Sequence, residues 1–288
     1  MDFRTDLALE RHELIKDKIP KGVEFEQYKS GETIFTKIRI THRHGAEALQ
    51  KPEGTYITAE LPSLILRSPL DEKTVEAIAN ELRSLLPETG TVLVVGLGNT
   101  EITPDSIGPD SVSSVLATRH IGRELMKSTG LGELRSVSVF VPGVLGKTGV
   151  ETAESIKGLA KTVKPSVIIA VDALAARRLS RLGNTIQMCD TGISPGSGVG
   201  NCRSAVNYDT TGVPVISIGI PTVVDAGTLV NDLTDGKGSI SDESREMIIT
   251  PREIDLVAER ASKLIGLAVN KALQPHLSID EIMMLTGN

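Results

Sequence analysis

The chain has 288 residues, 40 % hydrophobic and 24 % charged, proportions that suit a folded domain with an aliphatic core. A formal net charge of −6, no Trp, four Phe and three Tyr argue against a basic, aromatic platform for nucleic acid, so no direct nucleic-acid binding is expected. No apolar run reaches the length of a membrane span, and no membrane partner is expected. Residues 1–6 lack the basic-then-apolar order of a signal peptide, and Cys189 and Cys202 show no metal spacing, so a reduced, cytoplasmic protein is expected.

Leu7, Leu9, Leu14 and Ile15 predict a helix over 6–18, stopped by Pro20 and Gly22. Alternation at Val23, Phe25 and Gln27, a Ser30-Gly31 turn, and alternation again from Ile34 to Ile40 predict an antiparallel hairpin. A third strand is expected over 56–61. This β-rich stretch, residues 22–61, either forms its own small layer or extends the edge of a larger sheet. Ser68-Pro69 has the form of a helix start, and Val75, Ile78, Ala79, Leu82 and Leu85 share one helical face behind it.

From there strands and helices alternate. Strands are expected over 92–95, 137–141, 167–171 and 213–220, the last closed by Pro221. Helices are expected over 112–127, 151–163, 173–182 and 251–272. Residues 184–212, rich in Gly, Ser, Thr and Asn, read as one long loop. Short β-branched strands separated by helices define an α/β fold, three-layer α/β/α, with a mostly parallel central sheet, here in a single domain over 1–288.

Ligands bind such sheets at the carboxyl ends of their strands. Two acids are expected there. Asp105 follows the 92–95 strand after the Gly96 and Gly98 turn, and Asp172 follows the 167–171 strand. Carboxylates brought close together cannot ionise independently, so one stays protonated and the pair supplies an acid and a base. Helix capping is the alternative role for each. Other motifs are weaker. Gly96-Leu97-Gly98-Asn99 lacks the third glycine of a dinucleotide fingerprint, and the Gly196–Gly200 run follows no strand, so no cofactor is expected. Asp190-Thr191-Gly192 reads as a turn, and His42 and His44 as surface residues.

Several stretches together resemble the germination protease family of spore-forming bacteria. They are Val95 to Asn99 with Thr103-Pro104-Asp105 and Gly108-Pro109; Val141-Pro142-Gly143; Ala170 to Arg177; and Asp190 to Ile193 with Pro195 to Asn201. The likeness runs from Arg4-Thr5-Asp6-Leu7-Ala8 to the C-terminal tail. It implies an aspartic endopeptidase that degrades small acid-soluble spore proteins during germination, in the spore core, with a fold similar to hydrogenase maturation proteases. It also implies that Asp105 and Asp172 are the essential aspartates, and that the enzyme is a homotetrameric zymogen. The processing site would be Asp6-Leu7, with residues 1–6 as a short propeptide. Substrates would be cut after an acidic residue, for which Arg177, Arg178 and Arg203 are candidate partners. In the hydrogenase maturation relatives the equivalent acids bind a metal, so a metal-dependent hydrolase is the alternative enzyme. A non-catalytic spore-protein-binding protein is the alternative of another class.

Overall fold

The computed structural model describes residues 4–15, 19–61, 70–122, 133–200, 203–245 and 247–287. Among these, nine strands make one sheet: β1 (Val23–Ser30), β2 (Thr33–Ile40), β3 (Gly54–Glu60), β4 (Val92–Gly96), β5 (Val137–Phe140), β6 (Val167–Ala176), β7 (Thr185–Cys189), β8 (Val215–Asp225) and β9 (Ile248–Ile249). Their order is β1-β2-β3-β7-β8-β6-β4-β5, with β9 on β8. The helices that bear on the site are α1 (Ala8–Glu13), α2 (Arg43–Leu49), α3 (Glu72–Leu85), α4 (Ile107–Ser113), α5 (Thr152–Val163) and α6 (Ile254–Leu273).

β8, β6, β4 and β5 are mutually parallel. They explain why the runs 92–95 and 167–171 are apolar without alternation. Val92 and Val94 face α3 and α6, whereas Leu93 and Val95 face α5, and all four are fully buried. Each such side chain contributes roughly 1.5–3 kcal/mol by leaving water. The fold is therefore a mixed α/β sheet with a parallel core and helices on both faces. The β-rich stretch extends this sheet, since β3 pairs with β7 and β7 with β8, all antiparallel. Outermost β1 carries Glu24, Glu26 and Lys29 at exposed positions, and at the other end β5 has four residues.

Four expectations are corrected. The 184–212 stretch is not all loop, because β7 supplies the strand that joins β3 to β8, and every residue of it is buried. The helix expected over 173–182 is absent. β6 continues to Ala176 because β8 pairs with it to Val224, and this pairing overrides the helical preference of an Ala-rich segment. A single 3-10 turn, Leu179–Arg181, follows. Pro221 does not close β8; the strand passes through it at a bulge, where the register shifts between Leu174 and Ala175 and a missing N–H is tolerated. Finally, of the helix expected over 112–127, described residues 114–122 are not helical, and α4 spans Ile107–Ser113. Asn270 of α6 donates to Ser114 O at 2.8 Å and accepts from Leu116 N at 2.9 Å, replacing partners that further helical turns would supply. The Ser68-Pro69 start, residues 16–18 and 123–127 of two expected helices, and Cys202 lie outside the described residues.

α1 is fastened by buried charge. Glu10, fully buried, accepts from the Thr5 hydroxyl, from the main-chain N–H groups of Arg177 (2.6 Å) and Arg178 (3.0 Å), and from Arg181 (3.2 Å). Arg181 also holds Glu13 at 2.6 Å, and these carboxylates raise its pKa against the opposing effect of burial. Removing one member of a buried, hydrogen-bonded pair strands the others. Glu10→Ala is accordingly expected to lower unfolding stability by about 3 kcal/mol, read as a fall in denaturant midpoint. A change below about 1 kcal/mol, the level of an exposed pair, would show that the network does not hold α1.

Candidate active site

The site is built where β4 ends. Leu97 N–H donates to Val171 O at 2.8 Å, and the chain then turns at Gly98, whose φ is +118°. A Cβ on Gly98 would lie 2.0 Å from Asp105 O, and Asn99 N–H donates to that oxygen at 3.0 Å. Thr103–Asp105 forms one 3-10 turn, which Thr222 of β8 fixes through a hydroxyl hydrogen bond to Pro104 O at 2.7 Å. α4 follows and lies directly on the strands: a Cβ on Gly108 would sit 2.1 Å from Leu97 O and 2.4 Å from Val171 O. These close approaches hold Asp105 at the carboxyl ends of the parallel strands.

Asp172 comes from β6, opposite Gly219 of β8, and is 5 % exposed. One of its oxygens accepts from Ala173 N–H at 2.9 Å. It therefore lies within a strand and caps no helix. Asp105 and Asp172 line one cavity of about 470 Å³, together with Ile102, Leu145 and Arg203. A larger hollow, about 720 Å³, lies against the amino ends of β4 and β5 near Pro87 and Ser136, away from both acids.

Burial raises both acids. Asp105 is pushed up to about 6, opposed by an N–H of Asn99 and the charge of Arg203. Asp172 is raised well above the ordinary carboxylate range, first by burial and then by the negative charges of Asp105 and Asp6. With its pKa at about 6 the half-buried Asp105 is ionised at neutral pH, while the more deeply buried Asp172 holds its proton more tightly than an ordinary carboxyl. The cavity thus holds two carboxyl groups whose proton affinities burial has raised.

Of the three candidate arginines, only Arg203 lines this cavity. The Arg177 guanidinium holds Asp232 at 2.7 Å, and Arg178 reaches Glu13 at 3.4 Å. Asp6 also lines the cavity, whereas Leu7 is fully buried against Leu174 and Val224. The carboxylate of Asp6 is bound to Ala175 N–H and the Ser197 hydroxyl, both at 2.8 Å. Among the described residues no group of three or more His, Cys, Asp or Glu side chains is arranged to hold a metal ion.

The remaining motifs have structural roles. His42 caps α2, and its exposed ring stacks on His44. Asp190 accepts from Thr55 N–H at 2.8 Å. Cys189 is buried, 3.0 Å from the Ser217 hydroxyl. The sequence reading missed Lys51, Gln187 and Ser197 around Asp6; the Gly196–Gly200 run was the one local signal of that seat.

The acid pair thus lines one cavity at the carboxyl edge of the parallel core. The family model described as germination protease matches residues 5–236. The germination protease of Caldanaerobacter subterraneus subsp. tengcongensis is 41 % identical, covering 99 % of this chain and 98 % of its own. That of Clostridium acetobutylicum is 39 % identical, covering 97 % of each. A solved [NiFe] hydrogenase maturation protease, HycI from Thermococcus kodakarensis, aligns with 66 % of this chain and 98 % of its own, at 18 % identity and a TM-score of 0.37. The chain belongs to the germination protease family. It is a peptidase.

A raised carboxyl pKa fixes the sign of a stability effect. The folded state keeps the Asp172 proton at pH values where the unfolded chain, near its ordinary value, has lost it. Stability is therefore lost as pH rises from the unfolded pKa toward the folded one. Asp172→Asn removes this dependence, so its melting-temperature gain over the parent is expected to grow from pH 4 to pH 7. A gain that shrinks with rising pH would overturn the assignment.

Proposed function

We propose that the protein is an aspartic-type endopeptidase that cleaves small acid-soluble spore proteins after an acidic residue during germination, in the spore core. The carrying observation is that two carboxylates from separate strands share one cavity while burial spreads their proton affinities. Asp105, ionised at neutral pH, takes a proton from the attacking water as its oxygen bonds to the peptide carbon. Asp172 gives its proton to the nitrogen as the C–N bond breaks, and the two acids end with their protons exchanged.

The family resemblance adds two finer readings. The enzyme is made as a zymogen whose residues 1–6 leave by cleavage at Asp6-Leu7, and it assembles as a homotetramer. The charge of Arg203 opposes the effect of burial on Asp105 and so favours its ionised form.

Asp105→Asn and Asp172→Asn are each expected to lower kcat on an acid-soluble spore protein by at least about 10²-fold, the scale of a lost general base or acid. Circular dichroism checks the fold. Retained turnover in both variants would sink the pair. The rate is also expected to fall about tenfold per pH unit below pH 6, as Asp105 takes up its proton. A profile flat from pH 7 to pH 5 would remove Asp105 as the base.

A further inference from the structure

Asp6 is held like a bound ligand. Its N–H donates to Ala175 O at 2.9 Å, and its carboxylate accepts from Ala175 N–H at 2.8 Å, so side chain and main chain together satisfy one residue of β6. The second carboxylate oxygen takes the Ser197 hydroxyl at 2.8 Å. Its own carbonyl accepts from Lys51 Nζ and from Gln187 Nε2, each at 2.9 Å, and Gln187 Oε1 accepts from Ala8 N–H at 2.6 Å. Five groups from four separate parts of the chain thus converge on one acidic residue.

The seat is shaped for this side chain. A Cβ on Gly198 would come within 2.5 Å of both the Asp6 carboxylate and the Ala175 Cβ, so glycine there leaves room for the acid. Asp6 also stands between two cavities. On one side is the cavity of Asp105 and Asp172, and on the other a cavity of about 480 Å³ lined by Lys51, Gln187 and Ser197. The carboxylate meets two donors at once, and the Lys51 ammonium nearby adds a charge that an amide would not feel.

We propose that the Ala175 N–H, Ser197 and Lys51, with Gln187 on the adjoining carbonyl, form the subsite that selects an acidic residue in the substrate, and that Asp6 fills it in this chain. This rests on the peptidase reading of the same cavity. It replaces the arginines as the source of the acidic preference with two neutral donors and one lysine. Asp6 and a substrate acid need the same hydrogen bonds, so the two compete for the seat. Arg4 reinforces the occupant through Asp225 at 3.2 Å, and its N–H donates to the Thr228 hydroxyl at 3.1 Å.

Binding tests this without turnover. The full chain carrying Asp172→Asn is compared with the same chain also carrying Asp6→Ala, with a labelled Arg-Thr-Asp-Leu-Ala peptide as probe and its Asp-to-Asn version as control. The Asp6→Ala chain is expected to bind the acidic peptide at least about tenfold more tightly than the chain that keeps Asp6, since a hydrogen bond to a charged group carries that much. Adding Ser197→Ala should weaken binding about tenfold. Adding Lys51→Met should narrow the gap between acidic and amide peptides, and Lys51→Arg should restore it. Equal binding of the two peptides, no gain from Asp6→Ala, or no loss from Ser197→Ala in a chain that melts cooperatively would overturn the subsite. Should Asp172→Asn still release new peptide ends, the catalytic reading fails, while the binding comparison still judges the subsite.

Discussion

The cleft depends on how closely the main chain after β4 can lie against β6. Leu97 bonds to Val171, and α4 presses Gly108 onto both of their carbonyl oxygens at distances no side chain could share. An alanine at Gly108 would push α4 away from the sheet and take Asp105 with it. Gly98 imposes the same condition on the other side, because its positive φ and its contact with the Asp105 carbonyl leave no space for a Cβ. The geometry of the cleft is set by missing atoms as much as by the acids. The third such position, Gly219, keeps β8 close beside Asp172.

With the acids so placed, electrostatics follows from depth. Asp172 lies deeper than Asp105, and burial, then the two neighbouring carboxylates, raises its pKa well above the ordinary range. Asp105 faces Arg203 and an N–H of Asn99, which hold it nearer its ordinary range. Asp6 adds a third negative charge, and its counter-charge is Lys51, whose own pKa burial lowers. Acid-rich and cation-poor, the neighbourhood is costly to ionise in full. That cost divides the labour within the pair.

Much of the fold was legible locally. Two-residue alternation marked the β1–β2 hairpin, aliphatic runs marked β4 and β6, and helical spacing marked α3, α5 and α6. What the sequence hid depends on distant partners. β6 runs past Asp172 because β8 pairs with it, α4 stops early because Asn270 takes its next hydrogen bonds, and β7 exists because β3 and β8 need a strand between them. Asp105 and Asp172 were legible as acids near strand ends, although the second lies inside its strand. The seat of Asp6 was not legible, since Ser197, Gln187 and Lys51 are separated from it by 45 to 191 residues.

The outer strands of the sheet carry a consequence for how copies of this chain behave at high concentration. An open β edge is a template for adding strands without limit. β1 meets that hazard with Glu24, Glu26 and Lys29 along its exposed length, and β5 offers only four residues. Another chain docking on β1 would have to line up its own charges against these, and one docking on β5 would gain few hydrogen bonds. Growth by edge addition is thereby discouraged at both ends of the sheet.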